Sequence, residues 1–129
     1  MKKKSKKTIL IVEDSVSLNT TLVEKLKQEN FNVYSSFNGE EGLKIAHDKH
    51  PDLILLDIIM PILDGYEFME ELRKDAWGKH AKVIILTNLS MKDENVVKMV
   101  IQKDPIAFLV KSSTKLKNLI RYIHYAFEE

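Results

Sequence analysis

The chain has 129 residues, 44% apolar and 30% charged, with a formal net charge of +1 and no cysteine. That is length for one domain with its own hydrophobic core, in the ordinary proportions of a globular protein. It excludes a disulfide framework and a thiolate metal centre, and no apolar run approaches the roughly 18–20 residues that a bilayer span needs.

The chain opens MKKKSKK, and the apolar stretch that follows is only TILIV before acidic residues begin, so it does not read as a secretory signal. Lys2, Lys3, Lys4, Lys6 and Lys7 account for five of the 20 basic residues, which leaves 15 against 19 acidic ones. Residues 1–7 are expected to be a disordered, solvated basic tail on a domain spanning 8–129. No aromatics interleave the lysines and the body is acidic, so neither direct nucleic-acid binding nor a membrane contact is expected. A cytoplasmic location fits this composition.

Five short strands follow in order: TILIV (8–12), FNVYSS (31–36), DLILL (52–56), KVIIL (82–86) and IAFLV (106–110). Three are near-continuous apolar runs, the pattern of parallel strands covered on both faces. Amphipathic segments separate them. Leu18, Leu22 and Leu26 recur every fourth residue in the first, and Leu116, Leu119, Ile120, Ile123 and Phe127 form a stripe in the last. Asn38 with Glu41, and Ser90 with Asp93, have capping-box spacing at helix starts, and Ser113 or Thr114 can cap the last helix. Strand and helix alternating five times with short links predict a doubly wound α/β domain, a parallel sheet with helices on both faces.

In such a sheet, the loops after the strand C-termini share one edge, where ligands bind. On that edge come Glu13 and Asp14 after the first strand, Asp57 after the third, Thr87 after the fourth and Lys111 after the fifth. Glu13 and Asp14 alone read equally well as helix caps. Thr87 alone reads as a turn residue and Lys111 as a solvated strand end. Asp57 is less ambiguous, because IIMPILDG separates it from the next helix. Two carboxylates about 5 Å apart repel by roughly 3 kcal/mol at an effective dielectric near 20, so three together call for a cation. All-oxygen ligands with spare positions suit Mg²⁺, which often completes its shell with phosphate. A lysine and a hydroxyl nearby suit the phosphate, and an aspartate in such company is equipped to become an acyl phosphate.

These residues resemble the response-regulator receiver domain of two-component signalling, over residues 8–127. The stretch D-I-I-M-P-I-L-D-G (57–65) is similar to the family's D-x-x-M-P-x-x-D-G. It is joined by V-E-D (12–14), N-G-E-E-G-L-K-I-A (38–46), I-I-L-T (84–87) and F-L-V-K (108–111). The resemblance implies a flavodoxin-like, five-stranded parallel sheet of order 2-1-3-4-5 with five helices. It implies that Asp57 is the phosphoacceptor, and that Asp14 ligates Mg²⁺ directly while Glu13 holds it through water. It implies a further ligand in the backbone carbonyl of Ile59, contacts of Thr87 and Lys111 with the phosphoryl group, and a switch pairing Thr87 with Phe108. Simple strand packing is the other reading of Phe108. Met60, Pro61 and Gly65 look like the shaping elements of the loop, with Gly65 there to permit a tight turn.

The implied function is a phosphorelay switch that accepts a phosphoryl group from a histidine kinase or phosphotransfer protein. It would catalyse only its own phosphorylation and dephosphorylation, and it would change affinity for a downstream target protein or a lost output domain. The chain ends at Glu129, right after the fifth helix, so a stand-alone receiver and a receiver excised from a longer regulator both fit. The implied oligomer is a monomer or a weak homodimer through the face made by the fourth helix, fifth strand and fifth helix. Lys98, Lys103, Lys115 and Lys117 could form a basic patch there, though solvated faces are the default.

Four residues depart from the family pattern. Glu13 replaces the usual Asp. Asn88 stands where a small residue is favoured, and its amide would narrow access to the phosphate and alter its lifetime. Asp104–Pro105 replaces Gly-Ala, so the loop leaving the fourth helix is expected to differ. Ser112 replaces a proline preceded by a cis bond. A cis bond before a non-proline costs about 3–4 kcal/mol, against about 0.5–1 before proline, so a trans bond with Lys111 re-aimed is favoured over an enforced cis bond. A haloacid-dehalogenase-type phosphatase would want a second Asp at position 59, which is Ile59, and Glu13–Asp14 would repel a flavin phosphate. The alternative with most support is a degenerate receiver-like interaction module that does not cycle through phosphorylation. His47, His50, His80 and His124 lack metal-site spacing and read as solvated residues.

Overall fold

The computed structural model describes residues 6–60, 63–88 and 94–128, with side chains from residue 97 in the last stretch. Pro61 and the Ser90–Asp93 pair lie outside the described residues, as do the first five residues of the tail. Chain order runs β1 (Thr8–Val12), α1 (Val16–Gln28), β2 (Asn32–Ser36), α2 (Gly39–Lys49), β3 (Leu53–Leu56), α3 (Gly65–Lys74), β4 (Val83–Thr87), α4 (Glu94–Ile101), β5 (Ala107–Val110) and α5 (Leu116–Ala126). Short 3-10 turns at Gly78–His80 and Lys111–Ser113 precede β4 and α5. Every strand pairing is parallel and the order is β2-β1-β3-β4-β5. This is the doubly wound, flavodoxin-like sheet that the alternation and the resemblance imply.

Period two sends alternate strand residues to opposite faces. Leu10, Val12, Ile54, Leu56, Val83 and Ile85 join one cluster, with Phe68, Met69 and Leu72 of α3 and Val97 and Val100 of α4. Ile9, Ile11, Leu53, Leu55, Ile84 and Leu86 join the other, with Leu22 and Leu26 of α1 and Leu119, Ile120 and Ile123 of α5. Strands buried on both faces have no polar position to alternate, which is why β1, β3 and β4 read as unbroken apolar runs. β2 lies on the sheet edge and does alternate.

Asn38 caps α2 by accepting from the Glu41 N–H at 2.8 Å. Ser113 and Thr114 do not cap α5: its N-cap is Lys115, which makes no side-chain cap bond. Ser113 is taken up instead by the 3-10 turn, where its hydroxyl faces the Val110 carbonyl at 3.4 Å. Gly65 also differs from expectation, for no described glycine has positive φ. A Cβ at Gly65 would lie 2.5 Å from Ile58 Cα and 2.7 Å from the Asp57 carbonyl oxygen. The glycine is there for close backbone approach. Asp104 adopts the left-handed conformation, φ 62°, that glycine favours and that Asp tolerates better than most residues. Lys103 places its ammonium over the Tyr66 ring of α3, 5.8 Å from the centroid, so it does not extend a basic patch towards α5. Among the described residues no helix is long and apolar enough to cross a membrane.

Candidate functional site

Three strand ends converge at the C-terminal edge of the sheet. Asp57 N–H donates to the Val12 carbonyl at 3.0 Å, and Glu13 N–H to the Ser36 carbonyl at 3.1 Å, so the acidic residues extend the ladders of β3 and β1. Their backbones are therefore fixed and their side chains start from buried strand tips, leaving Glu13 3% and Asp57 5% exposed. Asp14 is exposed. One carboxylate oxygen from each of Glu13, Asp14 and Asp57 lies within 4.8 Å of the others.

Lys111 enters from the end of β5. Its Nζ is 2.8 Å from Asp57 Oδ2 and 2.6 Å from Glu13 Oε1. Each carboxylate has a second donor: Ile59 N–H reaches Asp57 Oδ1 at 3.2 Å, and Ser15 N–H reaches Glu13 Oε2 at 2.9 Å. Burial pushes the Glu13 carboxyl above its ordinary value, against the pull of Lys111 and the Ser15 N–H, and the Asp57 charge pushes the same way. Burial alone would lower Lys111, but hydrogen bonds and charge from Asp57 and Glu13 outweigh it and hold the ammonium up. With three carboxylates against one ammonium, the edge carries excess negative charge that a hard divalent cation matches. The donor set, all oxygen and partly open to solvent, fits Mg²⁺.

Thr87 is the last residue of β4, one position later than the apolar run suggested, and it is fully buried. Phe108 lies opposite Ile85 in the β4–β5 register and packs half-buried against the α2–α4 side of the core. Ile59 is 55% exposed beside Asp57. No cis peptide bond occurs among the described residues, and Lys111 reaches Asp57 with Ser112 following it.

Sequence reasoning missed Asn19. It is buried on α1 and donates from Nδ2 to the carbonyls of Glu13 and Ser36, both at 3.0 Å, pinning the loop that carries the acids. The available signal was a polar residue at i, i+3, i+7 spacing with Leu22 and Leu26. The four histidines do not come together as one group: His47 faces Asp75 at 3.9 Å, His50 stacks on Trp77 in a hollow that His80 also lines, and His124 faces Glu29 at 3.7 Å.

Comparison with known proteins agrees with this architecture. A probable transcriptional regulator, ycf27 of Cyanophora paradoxa, is 33% identical over 117 residues, covering 91% of this chain and 48% of its own. The chain thus spans about half the length of the relatives it matches. Chemotaxis protein CheY4 of Vibrio cholerae superposes with a TM-score of 0.85 at 22% identity, covering 95% of this chain and all of its own. The receiver domain of sensor histidine kinase PA1611 from Pseudomonas aeruginosa PAO1, solved with a magnesium ion coordinated in its active site cleft, is 27% identical. Its TM-score is 0.80, over 94% of this chain and 97% of its own. The family model for the response regulator receiver domain matches residues 9–124. With the sheet order, the acidic edge and this match in agreement, the chain belongs to the response regulator receiver domain family.

Proposed function

We propose that this chain is the phosphoacceptor switch of a two-component phosphorelay, with Asp57 as the residue phosphorylated. Receiver domains are signalling domains that interact with histidine kinases and downstream effectors, and the family binds Mg²⁺ at its acidic pocket. The observation that carries the reading for this chain is the Lys111 ammonium on Asp57 Oδ2 within an acidic triad. A structural ion pair needs one carboxylate for one lysine. Three carboxylates around one lysine leave room for a metal and a phosphoryl group.

Asp14, Glu13, Asp57 and the carbonyl of Ile59 would hold the Mg²⁺, which when bound neutralises the pocket and the charge of the incoming phosphate. An Asp57 oxygen attacks phosphorus, the P–N bond of the kinase phosphohistidine breaks, and the imidazole leaves with the electron pair. Lys111 follows the charge from the carboxylate to the phosphoryl oxygens, and the Thr87 hydroxyl donates to another. Hydrolysis by water returns Asp57. Movement of Thr87 and Lys111 shifts the population of the face formed by α4, β5 and α5, with Phe108 repacking, and so changes affinity for a target protein or output domain.

The test is a time course with Mg²⁺ and either acetyl phosphate or a labelled histidine kinase. Wild type is expected to gain one phosphoryl group that hydroxylamine or base removes, as an acyl phosphate requires, and Asp57→Ala none. Label that persists in Asp57→Ala would move the site elsewhere. No label on wild type under either donor would leave the interaction module that does not cycle.

A further inference from the structure

Asn88 follows Thr87 at the end of β4, and Ser112 follows Lys111 just beyond β5. The ladder between these strands runs from Ile84 opposite Ala107 to Thr87 opposite Val110. Beyond that last rung a side chain continues it: the Ser112 N–H donates to Asn88 Oδ1 at 3.0 Å. Lys111 sits between the two tie points, Val110 and Ser112. The remaining bonds of its turn are long, Thr114 N–H to the Lys111 carbonyl and Ser113 Oγ to the Val110 carbonyl, both at 3.4 Å. A lysine stem is flexible and carries a point charge. Fixing the backbone from which it starts narrows the positions its ammonium can take and favours the one between Glu13 and Asp57.

We propose that Asn88 is a positioning residue for Lys111: its side-chain oxygen clamps the Ser112 N–H and so fixes the backbone that delivers the ammonium to the Asp57–Glu13 pocket. The clamp needs an N–H at residue 112, which a proline there lacks, and an acceptor at residue 88. The proposal rests on the reading of Asp57 as phosphoacceptor and deepens it. Two consequences of opposite sign separate positioning from a general contribution to stability. Lys111 offsets negative charge at Asp57, so a displaced ammonium slows phosphoryl transfer. The same ammonium occupies carboxylate oxygens that a divalent cation must share, so displacing it tightens Mg²⁺ binding. General loosening of the site would weaken both.

The experiment measures the phosphorylation rate with acetyl phosphate and the Mg²⁺ dissociation constant by calorimetry, on the full chain. Asn88→Ala is expected to slow phosphorylation about fivefold, the worth of one ordinary hydrogen bond, and to lower the dissociation constant. Ser112→Ala keeps the N–H and is expected to keep the clamp. Ser112→Pro removes the donor, so Asn88→Ala should have no further effect in that background. Unchanged rate and affinity in Asn88→Ala overturn the proposal, as do weakening of both together or additive effects of Asn88→Ala and Ser112→Pro. If wild type takes no phosphoryl group, the phosphoacceptor reading falls, and the Mg²⁺ affinities then decide the clamp on their own.

Discussion

Replacing Lys111 by Met tests how the pocket is neutralised without metal. Methionine keeps the unbranched stem and removes the charge, so Glu13 and Asp57 are left facing each other at 3% and 5% exposure. Their nearest oxygens lie within 4.8 Å, a separation at which two carboxylates repel by roughly 3 kcal/mol at an effective dielectric near 20. Breaking a buried ion pair typically costs 3–5 kcal/mol, so the two estimates agree. In EDTA at pH 7, urea unfolding should find Lys111→Met about 3 kcal/mol less stable than wild type, a fall of about 10 °C in Tm for a chain of this size. Saturating Mg²⁺ should close most of that gap, because the cation takes over the neutralising role. Lowering the pH should close it too. The Glu13 carboxyl already stands above its ordinary 4.5, chiefly through burial, and loses the downward pull of Lys111 in the variant. A carboxyl raised in the folded state favours folding at pH below its ordinary value, and that contribution is lost as pH rises through the folded value. The metal-free variant should therefore gain on wild type as pH falls from 7 towards that ordinary value. If Lys111→Met were as stable as wild type in EDTA at pH 7, or its deficit indifferent to both Mg²⁺ and pH, the account of the pocket as a charge trap held by one lysine would be wrong.

Three further substitutions probe the supports of the site. Gly65→Ala forces a Cβ against the backbone of Asp57 and Ile58; a cost of about 1–3 kcal/mol is expected from overpacking. It should also slow phosphorylation more than that cost in stability implies, read by unfolding and labelling side by side. Asn19→Ala leaves the buried Glu13 carbonyl without its side-chain donor, and should cost about 2 kcal/mol and weaken Mg²⁺ binding measured by calorimetry. Arg73 donates to the carbonyls of Lys103, Gly78, Ala81 and Asp104. A lysine has three donors on a point-like head and no planar fork, so Arg73→Lys should lose about 2 kcal/mol in denaturant unfolding while the phosphorylation rate at the opposite edge stays unchanged.

The sheet could be read from the chain because parallel strands buried on both faces have no polar positions to hide them, and β1, β3 and β4 are of that kind. The acidic edge could be read because carboxylates at the ends of such strands need a reason. What could not be read depends on contacts across the fold. Arg73 on a helix has the look of a solvated charge until two loops bring their carbonyls to it. Asn19 looks like one more polar residue of an amphipathic helix until α1 is rotated onto the sheet and Leu18 gives way to it on the buried side. The α5 cap went to Lys115 because the turn at Lys111–Ser113 consumes the residues whose side chains would have served.

Three of the four departures from the family pattern, Glu13, Asn88 and Ser112, gather around Lys111; the fourth, Asp104–Pro105, lies at the other end of β5. Asp104 fills a left-handed position without glycine, and Arg73 holds the carbonyl of that same residue. Ser112 supplies an N–H that a proline would not, and Asn88 supplies the oxygen to receive it. Glu13 has one methylene more than Asp, and its second oxygen is anchored by the Ser15 N–H while the first meets the lysine. Each change, met singly, looks like a loss of a family feature. On the proposed clamp, Asn88 and Ser112 brace the Lys111 backbone at one end while Glu13 and Asp57 hold its ammonium at the other, so the resting pocket holds its own cation. A divalent ion entering it must take oxygens that already have a partner. On the function proposed above, the lysine that supports phosphoryl transfer at Asp57 is also the one that competes with the metal, so rate and Mg²⁺ affinity are set against each other in this pocket.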